Sequence, residues 1–399
     1  LGASEEEERE TAAFTNVIEE LLVRSSQDGM AVLILIDEVL MWARTMAGIS
    51  HEWRSRLQTF FQCLTQAVTK VPRCAVVASL LATDPRKSDT LGREIVQELS
   101  AVFRREQEEP VEPVGKEDVA EILRRRLFMP YLSTSRDAYR PQVLAALQGI
   151  GALDEQTQRE GHIAEERYLQ SYPFHPELTE IFYTKWTNLS GFQRTRGVLR
   201  TFAMALREAL AWDDAPLIGA NVFLSRPGEE ALCEAARELA GTASSEEYEG
   251  RKQEWSAILQ GELAKARAIQ STFHGLQHRE LEQAVMATFL HSQPIDQRGA
   301  TTREVLALVG ATSPDRIELE QALAQWAAES WFLDDETLSE AEVAPTGATA
   351  LPKTWRLGSR PNLIQMHHVA CQSVREDVDT RLDQETQALK RLTADASGA

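Results

Sequence analysis

Residues Ala31–Glu38 read AVLILIDE, six aliphatic side chains in a row followed by two adjacent carboxylates. The run follows the turn signal Asp28-Gly29 and is too short for an isolated helix, so it suits a strand buried on both faces, as in a parallel sheet. In open α/β sheets ligands collect at the carboxyl ends of the strands, which is where Asp37 and Glu38 would emerge. Acids are also common where a strand runs out into a solvated turn, so the run does not settle its own meaning.

The neighbouring segments alternate in the same way. From Ser4 to Ser26, Phe14, Val17, Ile18, Leu21 and Leu22 recur at helical spacing, with Ser4 as N-cap and acids in the first turn. Trp53, Leu57, Phe60, Phe61, Leu64 and Val68 mark a second helix, and Pro72-Arg73 leads into another apolar run, Cys74–Ala78. Helix, strand, helix, strand implies right-handed crossovers in a parallel sheet. An apolar run ending in Asp-Glu is the Walker B pattern of P-loop NTPases. In that reading Asp37 holds Mg²⁺ through its water shell and Glu38 polarises the water that attacks the γ-phosphate of ATP. Ser79 closes the second strand at the place of sensor 1, a polar residue on the attacking water or the γ-phosphate, and Thr83 competes for the role. Ser and Thr at strand ends also satisfy local backbone groups. Arg104 and Arg105 follow a helix read from Leu91 to Phe103, where related ATPases present an arginine finger; the same pair would complement the helix dipole.

The bulk numbers set limits. At 399 residues the chain is long enough for two or three domains. Lys+Arg 42 against Asp+Glu 61 gives a net charge of -19, which repels nucleic-acid backbones unless a local basic patch intervenes. Cys63, Cys74, Cys233 and Cys371 are scattered and form no CxxC pair, which points to a reducing compartment, the cytoplasm, and away from a zinc ribbon or a disulfide framework. No apolar stretch approaches bilayer-spanning length.

Beyond Pro110 and Pro113 the pattern becomes helical. Glu117-Asp118 open a helix to Phe128 whose cluster Arg124, Arg125 and Arg126 reads as an ion-paired face, and Asp154–Arg167 reads as an exposed loop or helix. The densest signal is Tyr172–Arg207. Pro173 and Pro176 bracket Phe174-His175, with His175 expected to be a hydrogen-bonded structural residue. Arg194, Arg196 and Arg200 stand at i, i+2 and i+6; they can surround an anion if the first two lie in the turn. Gly197 would let the start of the helix come close to something, and a Gly followed three residues later by Arg is the sensor 2 arrangement, with Arg200 reaching over the nucleotide.

With these residues in hand, the chain resembles the prokaryotic AAA-like ATPase family described as domain of unknown function 499 (DUF499). The resemblance rests on LILIDE (Leu33–Glu38), RRRLF (Arg124–Phe128), YPFHPEL (Tyr172–Leu178) with FQRTRGVLR (Phe192–Arg200), VMATFLHS (Val285–Ser292) and SRPNL (Ser359–Leu363). It implies an α/β P-loop, AAA+-like partial core with a parallel sheet in residues 1–115. A helical lid over 116–215, a helical connector over 216–277, a winged-helix domain over 278–365 and a helix with tail over 366–399 would follow, predominantly helical overall. It further implies ATP and Mg²⁺ as cofactors, self-association or other defence-system proteins as partners, and a setting beside DNA methyltransferases and helicases in clusters directed against phage or mobile DNA. No GxxxxGK[ST] occurs in the sequence, so the cradle and lysine that hold the β- and γ-phosphates are missing. Since the chain opens on Leu1, an upstream segment is expected to carry them, and the 399 residues alone are expected to bind ATP poorly.

In the second half, helices are expected over Glu229–Leu239 and Glu247–Ile269. Three short helices follow, Arg279–Ser292, Thr302–Val309 and Asp315–Glu329, and then strands Trp331–Leu333 and Thr354–Leu357, a winged-helix order. The third helix is acidic, and Asp334, Asp335, Glu336, Glu340 and Glu342 fill the wing, so DNA contact is disfavoured relative to protein or intramolecular packing. His274 and His278 are spaced one helical turn apart, without a third ligand for a metal in evidence. A polar helix over Ile364–Leu392 should end in a disordered ADASGA. Two other functions compete with the hydrolase: a non-hydrolysing nucleotide switch or scaffold, and a winged-helix DNA-binding regulator.

Overall fold

A computed structural model describes residues 15–26, 29–37, 43, 51–79, 90–104, 114–129, 136–189, 191–243, 247–248, 251–252, 254–294, 297–334 and 351–396. The chain divides into two compact units, Leu1–Pro113 and Val114–Ala399. It is predominantly helical, and each sheet among the described residues has two strands.

The first unit runs α1 (Thr15–Ser25), β1 (Val32–Ile36), α2 (His51–Lys70), β2 (Cys74–Ala78) and α3 (Thr90–Arg104). β1 and β2 are parallel, with Val32 opposite Cys74 and Ile36 opposite Ala78. Ile18 and Leu22 of α1, Leu57, Phe61, Leu64 and Val68 of α2, and Ile95, Leu99 and Val102 of α3 form one core, against which Val32, Ile34, Ile36, Cys74 and Val76 pack. Arg54 fastens α2 to α3 through Glu98, at 3.0 and 2.7 Å, and Glu94, at 2.7 Å. The expectation that the first strand is buried on both faces is corrected. Alternate side chains point to opposite faces, and Leu33 (60%), Leu35 (69%) and Val77 (57%) remain exposed on the face that these helices do not cover. An unbroken aliphatic run records high apolarity, not how many layers cover it.

The second unit begins with α4 (Asp118–Leu127), α5 (Arg140–Leu153), α6 (Glu155–Glu160), α7 (His162–Ser171), α8 (Pro176–Thr184), α9 (Arg194–Ala209) and α10 (Glu234–Thr242). Asp154–Arg167 is therefore two helices, and Asp154 is buried as the N-cap that accepts from the N–H groups of Gln156 and Thr157. Next come β3 (Glu247–Tyr248) and β4 (Arg251–Lys252), an antiparallel pair where a helix was expected; the helix, α11 (Trp255–Gln270), starts only afterwards.

The rest is α12 (Glu280–His291), β5 (Ala300–Thr301), α13 (Thr302–Val309), α14 (Arg316–Glu329), β6 (Thr354–Trp355) and α15 (Leu363–Ala396). β6 pairs antiparallel with β5, an element the sequence reading lacks, and the expected strand over Trp331–Leu333 is reduced to a bridge between Leu333 and Leu357. α13 opens on a capping box between Thr301 and Glu304. α15 continues through residues 394–396, which were expected to be disordered; its last turns contain Ala, Leu, Thr and Asp but neither Gly nor Pro, so nothing breaks the helix there. No helix among the described residues is long and apolar enough to cross a membrane.

One buried cluster extends from Val119 to Leu357, and α12 lies inside it with every residue from Glu280 to His291 buried. A helix ends with carbonyls that lack intrahelical donors, and here side chains from outside the helix supply them. Trp186 donates its indole N–H to the Leu290 carbonyl at 3.0 Å, and Lys185 donates to the carbonyls of His291 at 2.6 Å and Arg298 at 2.5 Å. At the other end Glu280 accepts from the N–H groups of Gln277 and His278. Trp186→Phe keeps an aromatic ring but orphans the Leu290 carbonyl, so urea denaturation is expected to show a loss of roughly 1–3 kcal/mol. A loss close to zero would mean that this bond does not hold the helix end.

Candidate functional site

Parallel pairing puts the carboxyl ends of β1 and β2 side by side. The Ser79 N–H donates to the Ile36 carbonyl at 2.8 Å, which sets Ser79, half-buried, next to the Ile36-Asp37 peptide. Asp37 is exposed at the same edge. Two residues far apart in sequence thus meet at the end of the sheet where α/β proteins bind ligands. Glu38, Thr83 and Arg105 lie outside the described residues; Arg104 is the exposed last residue of α3. An exposed carboxylate at a strand end fits Mg²⁺ held through water. No Gly-rich lysine loop accompanies it in this sequence, so the described residues supply no phosphate cradle.

The remaining predicted residues belong to the second unit. α9 starts at Arg194, whose φ is +41°, so Arg196 already lies in the first helical turn. Arg194, Arg196 and Arg200 are exposed, and Arg200 pairs with Glu238 of α10 at 3.2 Å. What comes close to the helix start at Gly197 is Phe192: a Cβ at Gly197 would stand 3.0 Å from two of its ring carbons. Phe192 in turn packs against Phe182 and Trp186, with ring centres at 6.1 and 5.9 Å. The fixed approach to FQRTRG is accounted for by this aromatic packing, while its arginines stay at the surface.

His175 is fully buried between the two prolines. Its Nδ1 accepts from the Glu177 N–H at 3.2 Å, so Nε2 carries the proton and faces the Ala307 carbonyl at 3.1 Å and the Tyr168 hydroxyl at 3.0 Å. Burial pushes its pKa down to about 3, and the imidazole is neutral. That is the structural histidine expected from the sequence. The Arg124 cluster is ion-paired as read: Glu121 engages Arg124 and Arg125, whose hydrogen bonds bring the carboxyl down to about 2, and Arg124 is buried with its guanidinium on the Tyr172 carbonyl at 2.6 Å. His274 and His278 sit in the loop between α11 and α12, not on a helical turn, and His278 Nδ1 is 3.6 Å from Glu280. No group of three or more His, Cys, Asp or Glu suited to a metal occurs among the described residues.

The sequence gives no hint of a cavity of about 190 Å³ at the C-terminal end of α12, lined by Glu177, Glu180, Lys185, His291, Arg298 and Glu304 among others. Lys185 and His291 are 106 residues apart, and no local pattern links them. Burial pushes the Lys185 ammonium down to about 8, and burial beside Lys185 takes His291 to about 4.

Residues 115–303 match the family model described as the DUF499 second domain, which supports the DUF499 family. The matched stretch contains His175, Lys185, the arginines of α9 and His291, whereas Asp37 and Ser79 fall outside it. No curated protein and no solved structure matches the chain.

The buried His175 links stability to pH. An unfolded chain takes up a proton near the ordinary histidine value of 6.5, the folded one only near 3, so stability is full above the first value and is lost as pH falls toward the second. The slope is roughly 1.4 kcal/mol per pH unit in that window. His175→Asn can still cap α8 but cannot titrate; urea midpoints measured from pH 7 to pH 4 should show a lower starting stability and a shallower acid limb. An unchanged slope would remove His175 from the linkage.

Proposed function

We propose that the intact protein hydrolyses ATP in a Mg²⁺-dependent reaction at the carboxyl edge of β1 and β2. The observation that supports this most is the meeting of Asp37 with Ser79 at the ends of two parallel strands. Asp37 would hold Mg²⁺ through water, and the ion, when bound, neutralises charge on the phosphates. Glu38, one residue on, takes the proton of the attacking water as general base. Ser79, or Thr83 in its place, holds that water by its hydroxyl.

Arg200, with Arg194 and Arg196, provides positive charge for the phosphates, and Gly197 lets Phe192 brace the helix that carries them. The Arg200–Glu238 pair is solvent-exposed on the arginine side, so opening it costs about 0–1 kcal/mol. Such a site also requires a Gly-rich phosphate loop, and no GxxxxGK[ST] occurs in these 399 residues. In keeping with the resemblance to the AAA-like branch of DUF499, we assign the activity to a cytoplasmic system linked to DNA modification or phage defence. It would act with further copies of itself or with other proteins of that system. The helix–strand–helix–helix–strand order from α12 to β6 is read as a winged helix used for protein packing. The second reading is a nucleotide switch without hydrolysis, favoured by the engagement of Arg200 with Glu238.

The test is steady-state ATP turnover by the full-length protein. Glu38→Gln is expected to lower kcat by roughly 100-fold or more while ATP binding, followed by calorimetry, persists. Ser79→Ala should reduce kcat less. Wild-type binding without turnover would select the switch, and undiminished turnover in Glu38→Gln would overturn the base assignment.

A further inference from the structure

α15 is 34 residues long, about 51 Å at 1.5 Å per residue, and every described side chain between Cys371 and Arg391 is exposed. A purely polar helix could stand in water on pairs one turn apart. α15 also exposes aliphatic side chains, and these are not scattered. At 100° per residue, Val378 (48%), Leu382 (58%) and Leu389 (62%) line up with exposed Cys371 within about 40° of arc, and exposed Val374 lies at the flank.

Two charges interrupt this line. With them the series reads Cys371, Arg375, Val378, Leu382, Glu385 and Leu389, alternately four and three residues apart, which is the a and d spacing of a coiled coil. A solvated face has no need of that spacing, and a plain apolar groove would strand both charges. The occupant has to offer an acid opposite Arg375 and a base opposite Glu385. A second α15 does so when it runs antiparallel.

We propose that α15 pairs with α15 of a second copy of this chain, antiparallel, about a two-fold axis beside Thr380. In this register Val378 meets the partner's Leu382, Arg375 meets the partner's Glu385, and Cys371 meets the partner's Leu389, each layer occurring twice by symmetry. Shifting one helix by a heptad sets Glu385 against Leu382 in one direction and Arg375 against Val378 in the other. Parallel pairing sets Arg375 on Arg375 and Glu385 on Glu385. The ion pairs thus fix register and direction, while Val378 and Leu382 form the apolar centre. At the axis Asp379 and Arg381 approach their own counterparts, and each has an opposite charge one turn away on its own helix, Arg375 and Glu385. The paired stretch is about 27 Å long and begins about two turns beyond Leu363.

This pairing gives a surface to the self-association proposed above and does not rest on ATP hydrolysis. Its test contains no nucleotide, so its failure leaves the turnover experiment untouched.

The experiment is sedimentation equilibrium of the full chain. A monomer–dimer equilibrium is expected. Arg375→Glu or Glu385→Arg alone should weaken the dimer by roughly 30-fold or more, and the double variant should restore it. Both residues are exposed on α15, so the fold survives the exchange. Direction is read by oxidation with oxidised glutathione. Leu389→Cys should give a covalent dimer through Cys371 of one copy and position 389 of the other, lost again when Cys371→Ser is added. The wild type should give none through Cys371, since the two thiols stand about 27 Å apart along the axis. A chain that stays monomeric up to its solubility limit would overturn the proposal. So would a dimer indifferent to the single exchanges, one not restored by the double variant, or a wild-type disulfide between two Cys371 thiols.

Discussion

A helix sealed inside a protein must find donors for the carbonyls at its end, and in the second unit this requirement falls on two consecutive side chains. α12 is buried along its whole length, and the carbonyls of Leu290 and His291 at its end need donors from outside the helix. Trp186 and Lys185 serve them instead, and Lys185 reaches on to the Arg298 carbonyl. The residues just after α8 are thereby fixed against α12 and against the chain that leads into β5. Trp186 also stacks near Phe182 and Phe289, with centres at 5.9 and 5.8 Å, so polar satisfaction and aromatic packing are met by the same side chain.

That anchoring has consequences for the residues that carry chemistry. With Trp186 and Phe182 held, Phe192 folds onto them, and its ring lies so close beneath the start of α9 that a Cβ at position 197 would stand 3.0 Å from it. The arginines of α9 therefore project from a helix whose first turn is braced by the aromatic cluster. Lys185 is drawn inward for its carbonyl partners, and this burial pushes its ammonium down to about 8. In the first unit the ordering principle is different and simpler. Two parallel strands in register bring their carboxyl ends together, and Ser79 and Asp37 meet for that reason alone.

Periodicity disclosed the elements whose signal is local. The helix over Thr302–Val309 is found at its expected bounds because its capping box and apolar face are both written in adjacent residues. Glu247–Lys252 was misread, since a short antiparallel pair of two-residue strands leaves no periodic trace before a strong helix. β5 escaped for the same reason: two residues carry no period, and its partner Thr354-Trp355 is more than fifty positions away. Among the candidate site residues, Asp37 and Ser79 were legible because strand ends converge predictably. Lys185, His291 and Arg298 were not, because residues so far apart in the chain come together only through tertiary packing.

Sequence alone determined that this chain has parallel strands flanked by helices at its start and a mostly helical remainder, that His175 is structural, and that Arg124 is tied into ion pairs. Those conclusions follow from apolar spacing, proline brackets and adjacent charges, which act over a few residues. Tertiary structure decided that only one face of β1 and β2 is covered by the described helices, that Gly197 answers to Phe192, and that Lys185 caps the end of α12 beside a cavity. Each of these depends on which distant surfaces are pressed together, and burial, unlike helical period, is a property of pairs of segments that no single stretch of residues encodes.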